Sequence, residues 1–99
     1  MPNTTLYSPA EITRTLGAQA KARRLALGMR QVDLAAAAGV PITTVRRFEA
    51  GHNVGLDVVV NVALALRAEH ELLNVFTVPS AGSIDDVLRR TRQRQRARA

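Results

Sequence analysis

The chain has 99 residues, with fourteen Lys and Arg against eight Asp and Glu and no Cys. That length supports one domain with a modest core, and the missing cysteines exclude disulfides and thiolate metal sites. Tyr7, Phe48 and Phe76 are the only aromatic residues, too few for the stacking platforms of single-strand nucleic-acid binders, while a net charge of +6 suits a polyanionic partner.

That charge is unevenly placed. Residues 84–99 hold six Arg and two Asp, a net of +4, which leaves +2 on residues 1–83. No apolar run reaches membrane-spanning length, since the stretch from Val58 is broken by Asn61 and Arg67. Residues 1–7 have no periodic pattern, lack the charged and apolar regions of a signal peptide, and read as a flexible arm. A soluble, cytoplasmic protein is expected.

Ser8-Pro9-Ala10-Glu11 announces the first helix: a Ser cap, a Pro at the first position, and a Glu placed to reach back. The helix is expected to run to about Leu27, with Ile12, Leu16, Ala20 and Leu27 as its inner stripe and Arg14, Lys21 and Arg23 facing solvent or phosphate; Gly28 ends it. Gln31 to Ala38 makes a second helix with Leu34, Ala35 and Ala38 on one face. A third, Pro41 to about Ala50, has Val45 and Phe48 on one face. Between them Gly39 can take a left-handed conformation, Val40 can drop into the core, and Pro41 suits the first position of a new helix. The pair reads as a helix-turn-helix rather than an ordinary hairpin, because the outer face of its second helix carries Thr43, Thr44, Arg46 and Arg47.

Gly51 to Gly55 is a loop. A fourth helix, Leu56 to Arg67, shows Leu56, Val59, Val60, Ala63 and Leu66 at helical spacing, and a fifth, about Glu69 to Phe76, carries Leu72, Leu73 and Phe76. Residues 77–83 read as a linker. Ile84 to about Arg92 reads as a short helix with Ile84, Val87, Leu88 and Thr91 on one edge, and the Arg-rich tail to residue 99 as disordered when free. The expected fold is all-α: a compact five-helix domain over residues 8–76, then a short C-terminal helix and basic tail.

These residues resemble the lambda-repressor-like helix-turn-helix family, the Cro/repressor or xenobiotic-response-element type. The resemblance rests on Arg24, Gly28-Met29-Arg30-Gln31, Leu34-Ala35, Gly39-Val40 and Glu49-Ala50-Gly51, and covers about Leu16 to Phe76. Two departures concern caps: Pro41 stands where the family usually has Ser or Thr, and Gly55 replaces the Ser often found before the fourth helix. The likeness implies that Gln31 touches phosphate and braces the recognition helix. It also implies that Ile42, Thr43, Thr44, Arg46 and Arg47 enter the major groove, that His52 and Asn53 meet backbone phosphates, and that Arg24 and Glu49 form a buried ion pair. Arg can bond guanine twice, Thr can serve a base edge or a phosphate, and Ile42 can meet a thymine methyl; for Arg46 a purely phosphate contact is equally open.

Chemistry finds no catalytic grouping, metal site or cofactor loop. His52 and His70 are separated by a helix without suitable acids, Asp85-Asp86 suffices as a cap, and Gly51 to Gly55 lacks the Lys-Ser or Lys-Thr of a phosphate-cradling loop. Two functions remain. One is a dimeric repressor of double-stranded DNA on a palindromic operator, with Leu72, Leu73, Phe76, Ile84, Val87 and Leu88 as dimer or partner contacts. The other, from a weaker resemblance to HipB-type regulators found beside HipA-type kinase toxins, is an antitoxin that binds a toxin protein and represses its own operon.

Overall fold

The computed structural model describes residues 7–79 and 88–94. Its elements are α1 (Pro9–Ala26), α2 (Gln31–Ala38), α3 (Ile42–Glu49), α4 (Leu56–Ala65) and α5 (Glu69–Leu73), with no strand among the described residues. Residues 88–94 are also helical. Most of the expected arm and linker, Ile84, Val87 and the end of the tail lie outside the described residues.

The start of α1 is closed reciprocally. The Glu11 amide donates to Ser8 Oγ at 3.1 Å and the Ser8 amide to Glu11 Oε1 at 3.0 Å, so two otherwise orphaned amides find acceptors. At the end of α2, Gly39 sits at φ 69° in the left-handed region, where its missing Cβ removes the usual steric cost. The Val40 amide then reaches back to the Ala35 carbonyl at 3.1 Å, and Val40 packs against the core. Pro41, expected as the first helical residue, is instead the cap, extended at φ −63°, ψ 148°, and α3 begins at Ile42.

α2 lies at the centre, touching both α3 and α4; α1 packs on α3, and α5 hangs on α4. The buried core is Ala20, Leu34, Ala35, Ala38, Val45, Phe48, Val62 and Leu66. Burying each larger member contributes about 1.5–3 kcal/mol, so a core with only a few large side chains needs close backbone approach to reach native density.

Helix faces differ from expectation in two places. On α1 the buried residues are Gly17, Ala20 and Arg24, whereas Ile12, Leu16 and Leu27 are 48%, 45% and 46% exposed. The cause is Gly17. A Cβ there would overlap the Phe48 carbonyl oxygen, so α1 meets the end of α3 through its smallest residue, and the large apolar residues beside it turn outward. On α4 the buried pair is Val62 and Leu66, supported by Val58 and Val59, while Leu56 is 74% exposed. The fifth helix is also shorter than expected, ending at Leu73.

Arg23, expected to face solvent or phosphate, leaves 40% of its side chain exposed but directs its donors into the fold. Its Nε donates to the Leu66 carbonyl at 3.0 Å, Nη2 to the Arg67 carbonyl at 2.8 Å, and Nη1 to Glu71 Oε1 at 2.7 Å. The planar fork thereby ties α1 to the end of α4 and to α5. Arg67 itself takes the left-handed conformation, at φ 57°.

Gly17→Ala is expected to destabilise the fold by about 1–3 kcal/mol, because the added methyl meets backbone that can move only by separating α1 from α3. Arg67→Gly is expected to shift stability the other way by about 1 kcal/mol, relieving the left-handed strain. Urea unfolding of the two variants beside the native chain measures both.

Candidate nucleic-acid interface

The packing of α3 decides which of its residues can work outside the fold. Val45 and Phe48 are buried, at 0% and 5% exposure, which turns Thr43, Arg46 and Arg47 outward. Thr44 is half-buried. Ile42 is half-buried too and packs against the core, so it offers a ligand only its outer edge. His52 and Asn53, in the loop after α3, are exposed.

No side chain caps the start of α3, since Pro41 carries no acceptor. The first amides of the helix therefore receive no side-chain acceptor from the cap, and the helix dipole makes that end favourable to negative charge. The Thr44 and Val45 amides, one turn on, are taken by the Pro41 carbonyl at 3.0 and 3.3 Å.

Behind this outer face lies a buried polar bracket. Arg24 Nε donates to Glu49 Oε2 at 2.7 Å and Nη2 to Glu49 Oε1 at 3.0 Å, with the two side chains 7% and 3% exposed. Arg24 Nη1 donates to the Met29 carbonyl at 2.9 Å, and Gln31 Nε2 donates to Glu49 Oε1 at 3.1 Å. One carboxylate at the end of α3 thus ties α1 and the first residue of α2, and Arg24 adds the turn between them. Paired bonds in a dry setting fix orientation as well as distance. Gln31 is half-buried, and its bond to Glu49 holds its carboxamide at the start of α2.

Burial pushes the Glu49 carboxyl up. The hydrogen bonds from Arg24 and Gln31, with the charges of Arg24 and Lys21, outweigh it and hold the group below the ordinary glutamate range. The bond to Glu49 likewise raises Arg24, keeping it charged.

The residues expected at a dimer or partner contact are placed unevenly. Leu72 is half-buried, Leu73 is 77% exposed, Phe76 93% and Leu88 50%. Val75 and Val78, not anticipated, are also exposed, at 57% and 64%. Among the described residues no group of His, Asp and Glu could hold a metal ion, and no helix is long and apolar enough to cross a membrane.

A short helix presented on a packed helical pair, with its polar face outward and its opposite face buried, defines a helix-turn-helix reader of DNA. The helix-turn-helix family matches residues 21–73, more than half of the chain, and the chain belongs to that family, in its Cro/C1-type, xenobiotic-response-element-like branch. This is a family of DNA-binding transcription regulators, not of enzymes. A search among curated proteins finds no match.

Because the Glu49 carboxyl is held low in the folded chain, its contribution to stability is complete above the unfolded glutamate value and is lost as pH falls through the folded one. Glu49→Ala strands a buried guanidinium and is expected to cost about 3–5 kcal/mol at neutral pH, while the double variant Arg24→Met/Glu49→Leu recovers most of that. Denaturant titrations at neutral and acidic pH follow both effects, and Glu49→Ala should also have the shallower acid limb.

Proposed function

We propose that the protein is a sequence-specific transcriptional repressor that acts as a dimer on a palindromic operator, reading bases with α3 in the major groove. The supporting observation is the outer face of α3: Thr43, Arg46 and Arg47 are exposed and carry no acid among them, on a helix fixed through Glu49 to two others. In this reading Arg47 bonds guanine, Arg46 a base or a phosphate, and Thr43 and Thr44 a base edge or phosphate. Ile42 touches a thymine methyl with its outer edge. Gln31, His52 and Asn53 grip the phosphates on either side.

Dimerisation follows from how little one short helix can read; two domains bind half-sites about one helical turn, roughly 34 Å, apart. The exposed apolar residues Leu73, Val75 and Phe76 beyond α4 favour that end of the molecule as the shared surface, since large apolar side chains left in water mark interfaces. The same residues are the ones a toxin would cover in the antitoxin reading.

Arg47→Ala is expected to weaken binding to the operator by about 1–3 kcal/mol and to relax one operator position, with little change on a scrambled duplex. Titrations on matched and scrambled duplexes decide this, and equal losses on both would reduce Arg47 to a phosphate contact. Phe76→Ser is expected to shift sedimentation toward the monomer and to shrink a two-fold footprint to one half-site. A native chain that sediments as a monomer, both free and on DNA, would remove the dimer and leave the apolar end to a different protein.

A further inference from the structure

Gly51 follows the residue that caps α3, and its backbone lies against Arg14 of α1. A side-chain carbon placed on Gly51 would stand 2.7 Å from Arg14 Cγ and 3.2 Å from Arg14 Cα, so only a residue without one lets the two segments close. One residue on, the His52 amide donates to the Arg47 carbonyl at 2.9 Å, folding the loop back under the last turn of α3. Arg14, Arg47 and His52 are therefore gathered at the same end of the reading helix, and all three are exposed.

The nearby acids spend their hydrogen bonds elsewhere. Glu49 is held by Arg24 and Gln31, and Glu11, one turn before Arg14, accepts from the Ser8 amide and acts on Arg14 only through space. Arg14 and Arg47 have no hydrogen bond or ion pair among the described residues. An exposed arginine whose stem lies beside the proposed DNA-reading helix, and whose guanidinium is hydrogen-bonded to no acid among the described residues, matches one class of ligand, the phosphates that line the groove that helix enters.

We propose that Arg14 is a DNA-backbone contact: α1 contributes a phosphate-binding guanidinium beside the 51–53 loop, outside the surface that reads bases. This rests on α3 being the helix that enters the groove. The competing explanation is that Arg14 only offsets the negative end of the α3 dipole, which would make it a stabilising residue and not a binding one.

Salt dependence separates the two. Binding of the full chain to a mixed-sequence duplex of about three helical turns, roughly 30 base pairs, is titrated between about 50 and 200 mM salt for the native chain, Arg14→Gln and Arg14→Lys. Arg14→Gln keeps much of the stem that lies on Gly51 and loses the charge. Its slope of log affinity against log salt should be shallower by about 0.9, so its affinity falls about 3.5-fold less than the native chain's over that range. Arg14→Lys should keep the native slope, and all three should melt at the same temperature. A native slope in Arg14→Gln, alone or with a lower melting temperature, would overturn the proposal and leave Arg14 with the dipole. A native chain that binds no duplex at any salt would instead remove the placement of α3 in the groove, and the Arg14 contact with it.

Discussion

α3 has eight residues, only two of them in the core, and its orientation depends on one buried carboxylate. Glu49 takes two bonds from Arg24 and one from Gln31, at 2.7, 3.0 and 3.1 Å, and so ties the end of α3 to α1 and to the start of α2. Apolar contact is non-directional and would let a short helix roll on Leu34 and Val45; a bidentate ion pair sets an angle. The remaining Arg24 donor goes to the Met29 carbonyl, so the guanidinium is spread over two segments and the dry site holds no idle charge at its centre. This bracket also places Gln31 at the edge of the outer surface. In the proposed complex a phosphate meets the same side chain that braces the fold, and binding there acts on a group already fixed in place.

Much of this was legible in the sequence for identifiable reasons. The Ser8 and Glu11 signature, the Gly39-Val40 turn and the alternation of Val45 and Phe48 with charged neighbours are local features, and local features survive folding. The inner faces of α1 and α4 were less legible because apolar periodicity is a poor guide where a helix is held by its smallest residue. Gly17 carries no hydropathy signal, yet it sets the closest approach between α1 and α3 and thereby turns Leu16 outward. Arg23 misleads for a related reason. An arginine on a polar-looking face reads as a solvated charge, and only the tertiary arrangement brings the carbonyls at the end of α4 within its reach. On the outer surface, residue type indicated which side chains could face DNA, but Ile42 and Thr44 are half-buried because they lie three residues before Val45 and four before Phe48 respectively, on the flank of the inward face.

The Arg23 fork divides the molecule into parts of unequal permanence. No residue of α5 is buried, and what holds it is its contact with α4 together with an ion pair to Glu71 whose side chains are 40% and 60% exposed. An exposed pair of that kind is worth little against thermal opening, so α5 can come away and return without disturbing Leu34, Val45 or the Glu49 bracket. Substitutions beyond α4 therefore meet weak structural constraint, whereas those between α1 and α3 meet strong constraint. With the proposed partner surface at this end, a lineage could exchange one partner for another while continuing to read the same DNA, and the two properties would drift at different speeds.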